Sequence, residues 1–170
     1  SMFVSYIDKM FVQIDNSFTN LLPADPIKEN FVRQVRNACY SFVDPTPCSN
    51  PVLITYSKKL AMELGILEEK CLDSEFTQYF AGNKIYPNTN PYAMCYGGHQ
   101  FGHWAGQLGD GRAINLFEAL VESKRYAFQL KGAGKTPYSR SADGLAVLRS
   151  SIREYLCSEA MYHLGIPTTR

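Results

Sequence analysis

Charge of one sign is what this sequence lacks most plainly: 17 Lys and Arg stand against 16 Asp and Glu in 170 residues, a formal net charge of +1. The broad basic footprint of a protein that coats nucleic acid or an anionic membrane surface is therefore missing, and only local clusters remain open. No apolar run comes near the roughly 18 residues of a membrane-spanning helix. Disorder and collagen-like repeats are excluded as well, because 45% of the residues are hydrophobic and only 12 are Gly and 9 Pro. The five cysteines, Cys39, Cys48, Cys71, Cys95 and Cys157, include no CxxC pair. An odd, scattered set of this kind reads as reduced thiols of a cytoplasmic protein and not as a disulfide framework. No signal-peptide or Arg-rich transit pattern occupies the first twenty or so residues.

What is present suffices for a core, since a chain of this length buries very roughly two thirds of its unfolded surface. No internal repeat or linker divides it, so one domain is expected over 1–170. Residues 3–90 are rich in Asn, Pro and short apolar clusters. They predict a strand at Val52–Tyr56, a helix at Ser57–Leu64 ended by Gly65, and a short helix at Ser74–Phe80 closed by Gly82 and Asn83. Glu68, Glu69 and Lys70 read as a solvated charge run, and no chemistry stands out in this region.

From Tyr96 onward the composition changes. Glycines stand at 97, 98, 102, 106, 109 and 111, together with His99, His103 and the single tryptophan, Trp104. Two strands are predicted next, Arg112–Leu120 and Arg125–Lys131, joined by a polar turn at Glu122, Ser123 and Lys124 as a hairpin. Period-two alternation puts Tyr126, Phe128 and Leu130 on one face of the second strand and Ala127, Gln129 and Lys131 on the other. After a loop holding Gly132, Gly134, Pro137 and Gly144, residues 145–164 form the clearest helix. Its stripe is Leu145, Leu148, Ile152, Tyr155 and Leu156, and Gly165 and Pro167 end it.

Five patterns bear on chemistry. Gly106, Gly109 and Gly111 read G-x-x-G-x-G before a strand and Arg112, where backbone amides can approach an anion. The order reverses the dinucleotide fingerprint and precedes a strand, so a Rossmann reading is disfavoured and a plain tight turn stays open. Gly134, Lys135 and Thr136 end like a phosphate-binding P-loop, but Gln129 stands where its first glycine belongs. His99 and His103 are four apart without HExxH, which favours hydrogen bonds to the loop backbone over zinc. Glu154 has no cation three or four residues away on its helix, so any partner must come from elsewhere. Lys131 on the neighbouring strand is one candidate, as in kinase-like folds; two exposed, unpaired charges are the other. Lys135, Arg140, Arg149 and Arg153 make this stretch locally basic, which suits a polyphosphate.

Taken together, YGGHQFGHWAGQLGDGRA at 96–113, LKGAGKTPYSRSADG at 130–144 and VLRSSIREYLCSEAMYHLGIPTTR at 147–170 resemble the selenoprotein O family of protein adenylyltransferases. The resemblance implies an α+β chain that is the N-terminal portion of a protein-kinase-like fold, a mainly antiparallel sheet with packed helices. Residues 3–90 would be a family-specific N-terminal region and 91–170 a nucleotide-binding N-lobe-like region. The catalytic C-lobe, with the catalytic Asp and the ligands for Mg²⁺, is expected beyond Arg170. It also implies ATP held inverted, so that AMP and not the γ-phosphate passes to Ser, Thr or Tyr hydroxyls of protein substrates, as in a pseudokinase turned adenylyltransferase. Carried over by position, Gly109, Gly111, Arg112, Lys131, Asp143 and Gly144 would bind ATP and Glu154 would orient Lys131. No residue of this stretch is implied as catalytic or metal-binding, so the stretch alone is expected to be inactive. Phe117, Ser141 and Leu145 depart from the family pattern, the first from glycine and the others from frequent arginines. From the residues alone, a non-catalytic nucleotide-binding or interaction module and a conventional phosphotransferase stay open.

Overall fold

The structure, a computed structural model, describes residues 13–170, and residues 3–12 of the N-terminal region lie outside the described residues. Along the chain run β1 (Gln13–Asp15), α1 (Ser17–Leu21), β2 (Tyr40–Phe42), α2 (Lys58–Glu63), α3 (Glu68–Cys71) and α4 (Ser74–Phe80). They are followed by β3 (Tyr92–Met94), β4 (Gly97–Gln100), β5 (His103–Gln107), β6 (Ala113–Val121), β7 (Lys124–Lys131) and α5 (Leu148–His163). The fold is α+β, and every strand pairing within its two sheets is antiparallel.

The predicted hairpin is the centre of the larger sheet. β6 pairs with β7 along one edge and with β1 and β3 along the other, and β2 extends the sheet beyond β3. Glu122 and Ser123 turn the hairpin with φ of 47° and 66°, the two left-handed residues of a turn whose twist matches the flanking strands. A bulge between Asn115 and Phe117 lets the consecutive Leu116 and Phe117 both enter the main core. Strands from before and after residue 90 thus share one sheet.

Two apolar clusters hold the molecule. In the first, Tyr126, Phe128 and Leu130 of β7 pack with Leu116, Phe117 and the buried residues of α2 to α4. Phe117 stacks on Phe128 at 4.7 Å and meets Tyr86 at 4.9 Å, so it fills the centre of this core. Its full burial contributes about 2–3 kcal/mol. The short helices are started locally: the Ser57 hydroxyl accepts from the Leu60 amide at 3.4 Å and Asp73 from the Glu75 amide at 3.0 Å. The second cluster, Val43, Ala93, Ile114 and Tyr138, joins β2, β3 and β6 to the loop after β7.

Three expectations need correction. Val52–Tyr56 is extended but is not a strand, because no neighbouring strand pairs with it. Leu53 and Tyr56 lean on the first core while Val52 and Ile54 stay exposed. The helix expected over 145–164 starts at Leu148, since Leu145 bridges Ala133 and the Ala146 amide donates to Gly132 O at 3.1 Å. Nor does this helix pack on the sheet as expected: none of its residues is buried, and Leu148, Ile152 and Leu156 lie about half exposed. Among the described residues no helix is long and apolar enough to cross a membrane.

Candidate functional site

A cleft of about 880 Å³ opens where the β5–β6 turn, the end of β7 and the loop at 137–145 meet. Gly109, Gly111, Arg112, Lys131 and Gly144 all line it, five of the six residues expected to bind ATP. The sixth, Asp143, stands exposed beside it, and its carboxylate accepts from the Leu145 amide at 2.9 Å.

The glycine turn is bolted in place. Asp110, buried at its centre, accepts through Oδ2 from the Met94 amide at 2.9 Å and from Asn115 Nδ2 at 3.0 Å. Its own amide and carbonyl are taken by Met94 O at 2.9 Å and by the Thr136 hydroxyl at 2.6 Å. Gly109 has φ +101°, and a Cβ there would stand 2.6 Å from the Tyr138 ring. Glycine is thus required at 109 by the turn and by Tyr138, independently of any ligand. On the far wall, Gly144 has φ +80° and a Cβ would lie 2.3 Å from the Gly134 carbonyl, where the two backbones meet through Gly134 N to Gly144 O at 3.1 Å.

Lys131 pairs in register with Ala113 and projects, as alternation predicts, from the face of Gln129. On that face Gln129 donates to Asn115 Oδ1 at 3.0 Å, and Asn115 donates to Tyr92 O at 3.1 Å. Lys131 itself is exposed. Arg33, Arg112, Lys131 and Arg140 bring four cations to the lining, against the single acid Asp110, whose carboxylate is already bonded within the turn. An open cleft with this balance favours a polyanion.

Glu154 lies on the exposed flank of α5 and outside the cleft lining, and no ion pair joins it to Lys131 among the described residues. What fastens α5 is its far end. Arg170, with a side chain only 7% exposed, donates to Glu159 at 3.0 and 3.2 Å and to the Ser57 hydroxyl at 3.2 Å, and lies 3.6 Å over the Tyr162 ring. Contrary to expectation, the His99 and His103 side chains make no hydrogen bond to the loop backbone among the described residues. They are exposed on the β4–β5 ribbon, where His99 meets Trp104 edge-on at 5.2 Å.

Comparisons with known proteins give the family. The family model described as "Protein adenylyltransferase SelO" matches residues 27–170. The chain belongs to the SelO family. It is 63% identical over 159 residues to the protein nucleotidyltransferase YdiU of Flavobacterium johnsoniae, covering 94% of this chain and 30% of that protein. The proteins of the same name from Rhodopirellula baltica and Nitrosospira multiformis are 61% and 56% identical over 158 and 168 residues, covering 92% and 98% of this chain and 29% and 30% of theirs. The chain thus spans about a third of the length of the curated relatives it matches.

Sequence reasoning missed the wall that the N-terminal region gives to this SelO cleft. Arg33 lines it and is ion-paired to the buried Asp25. Asp25 accepts from the Ser41 hydroxyl at 2.7 Å, and Ser41 meets the Tyr138 hydroxyl at 2.8 Å. Burial pushes the Asp25 carboxyl up, but the Ser41 hydroxyl, the Ile27 amide and the Arg33 guanidinium outweigh it and hold its pKa below the usual range. Burial pushes Tyr138 up to about 12, so it stays a neutral donor. These four residues are separated by up to 113 positions, and no local spacing announces them; a buried-type Asp beside an Arg eight residues on was the only signal.

Proposed function

We propose that this chain is the nucleotide-binding part of a protein adenylyltransferase that transfers AMP from ATP to Ser, Thr or Tyr hydroxyls of protein substrates. The observation that carries it is the meeting of Arg112, Lys131 and Arg140 with a rigid glycine turn in one cleft. Nucleotidyl transfer asks for fixed positive charge and backbone donors around the phosphates, with little covalent chemistry from the protein. A substrate hydroxyl attacks the α-phosphorus, the bond to the bridging oxygen of the β-phosphate breaks, and pyrophosphate leaves. Lys131 and Arg112 neutralise the phosphates, and the Gly109–Gly111 turn lets backbone approach them. The volume falls within the several hundred Å³ usual for small-molecule sites.

The finer assignments belong to the same proposal. Residues 91–170 are the N-lobe-like, nucleotide-binding region of a kinase-like fold, residues 13–90 brace it, and the protein works in the cytoplasm. Glu154 orients Lys131 once α5, which buries no residue, brings the two together. Glu154→Gln then lowers incorporation without lowering the unfolding temperature. Magnesium would be the metal of the reaction. The described residues hold no group of three metal-ligating side chains.

The test uses the full-length protein with ATP labelled on the α- or the γ-phosphate. Incorporation of α label alone is expected. Incorporation of γ label alone makes the protein a phosphotransferase, and ATP binding with neither label makes it a binding module.

A further inference from the structure

Residues 96–108, between β3 and the glycine turn in the chain, form a ribbon of their own. Among the described residues β4 and β5 pair only with each other, with His99 opposite Trp104 and Gln100 opposite His103. A lone two-stranded ribbon is marginal in water and gains from a third strand. Its root is fixed. The Leu108 amide donates to Tyr96 O at 2.8 Å, and the Gln107 side chain accepts from the Val35 amide at 2.8 Å and donates to Arg33 O at 3.0 Å. Tyr96, Gln107 and Leu108 at that root line the cleft. The tip is a turn of two left-handed residues, Phe101 at φ 52° and Gly102 at φ 81°. Asn or Gly suits the first of these positions, and a bulky side chain there is strained. Phe101 is nevertheless 90% exposed, so no packing among the described residues offsets the strain. Trp104 is 60% exposed yet seated: a Cβ at Gly97 would stand 2.6 Å from its ring, and His99 meets it edge-on at 5.2 Å. Residues 96–108 contain no Asp, Glu, Lys or Arg, whereas the cleft they lead into is lined by Arg112, Lys131 and Arg140.

We propose that the β4–β5 ribbon is the docking arm for the protein acceptor: an extended stretch of the acceptor lies along the free edge of β5 as a third strand, with an apolar side chain against Phe101 and Trp104 and its hydroxyl at the cleft mouth. The proposal rests on the transfer reading of the cleft, in which a protein hydroxyl must come to the bound phosphates. The two chemistries are kept apart. Fixed cations hold the polyanion in the cleft, and an uncharged aromatic arm meets a neutral protein surface, as aromatic anchors at interfaces do. A cover for the phosphates would instead carry Lys or Arg, and the ribbon has neither. β5 is the productive edge, since it carries Trp104 and runs from the tip into the cleft lining at Gln107. Trp104 lies three residues from Gln107, about 10 Å along the strand. The acceptor's apolar residue therefore falls about three residues from its hydroxyl. Backbone pairing tolerates many sequences, and the aromatic contact adds the selection.

The test uses the full-length protein with dephosphorylated casein as an unfolded acceptor. Hydrogen exchange without nucleotide comes first. Protection of the 103–107 amides by casein, absent in Trp104→Ala, is the expected result, and no protection there in the parent overturns the arm. The second readout is incorporation of α-phosphate label from ATP into casein. Phe101→Asn keeps a residue that suits the turn, so the ribbon still folds. Phe101→Asn and Trp104→Ala each raise the KM for casein about ten- to thirtyfold, the scale of a lost aromatic anchor, while calorimetric ATP affinity is unchanged. A loss of ATP affinity equal to the rise in KM makes the ribbon a cover for the nucleotide and overturns the proposal, as does an unchanged KM in both variants. A parent that binds ATP but labels no hydroxyl strikes the transfer reading, while the exchange map still decides the arm.

Discussion

Residues 92–146 and helix α5 carry the two halves of the expected Lys–Glu pair, and they are held by opposite means. The glycine turn and the loop after β7 are fixed from within, by Asp110, Asn115 and Thr136 and by backbone in contact with backbone at Gly134 and Gly144. Helix α5 buries nothing and is tied down near its C-terminal end through Arg170 and Glu159. The cleft wall built by these residues is therefore preorganised, whereas the position of Glu154 depends on what packs against the apolar stripe of its helix. Preorganised donors cost no rearrangement during reaction, which is the property electrostatic stabilisation needs. A helix free along most of its length is instead the element whose placement can be changed.

The comparison is broken most directly at Lys131. Lys131→Ala lowers AMP incorporation by about 10²- to 10³-fold, the cost of a positioned transition-state donor. Because the side chain is exposed and makes no hydrogen bond or ion pair among the described residues, thermal unfolding stays within about 0.5 kcal/mol of the parent. A large loss of stability in that variant would place Lys131 in the scaffold and erase the distinction. Gly144→Ala tests the other side, since a Cβ would stand 2.3 Å from the Gly134 carbonyl at φ +80°. It destabilises by about 2–4 kcal/mol. Gly106→Ala, with φ +73° but nothing within 4 Å, costs only about 1 kcal/mol of backbone strain. Equal effects at the two glycines in denaturant melts would show that packing is not what pins the loop.

The tether of α5 is the next target. Arg170→Ala removes charge-assisted bonds to Glu159 and Glu63 and the stacking on Tyr162, a loss of about 1–3 kcal/mol. Hydrogen exchange is the measurement: amides of 156–163 lose protection while those of β6 and β7 keep theirs. Protection lost equally in the hairpin would mean that helix and sheet form one cooperative unit.

How much of this was legible in the sequence follows the range of the forces involved. The hairpin, α2, α4 and the face of Lys131 follow from period, caps and turn residues, which act over a few positions, and so they read correctly. The alternation of Val52–Tyr56 read as a strand because alternation reports a half-buried extended segment, and Leu53 and Tyr56 do pack, but it cannot report a missing neighbour. The cleft residues on 109–112, 131 and 144 were reached through motif resemblance. Their glycine requirement at 109 and 144 arises from Tyr138 and Gly134, contacts that spacing does not encode. Asp25, Arg33 and Ser41 stayed invisible, because a wall assembled across 113 positions leaves only ordinary polar residues in each stretch of chain.

The smallest effects separate two carboxylates, the buried Asp25 and the half-buried Glu118. Asp25 has its partners and a folded pKa below 3.8. The unfolded state therefore binds more protons through that window, so the stability it contributes is full above its unfolded pKa and disappears as pH falls through the folded one. Glu118 is the reverse case. One of its oxygens is buried without a hydrogen bond, and burial, with Asp15 opposite, raises its pKa above 4.5 despite Arg125. Its folded state binds more protons, so stability declines as pH rises through the unfolded and then the folded value. Asp25→Asn accordingly flattens the acid limb of the stability profile. Glu118→Gln removes the repulsion and gains about 0.5–1 kcal/mol at neutral pH, a gain that fades as pH drops below 4.5. Urea melts across pH 3 to 7 read both, and a Glu118→Gln gain independent of pH would mean that shape, and not charge, limits that site.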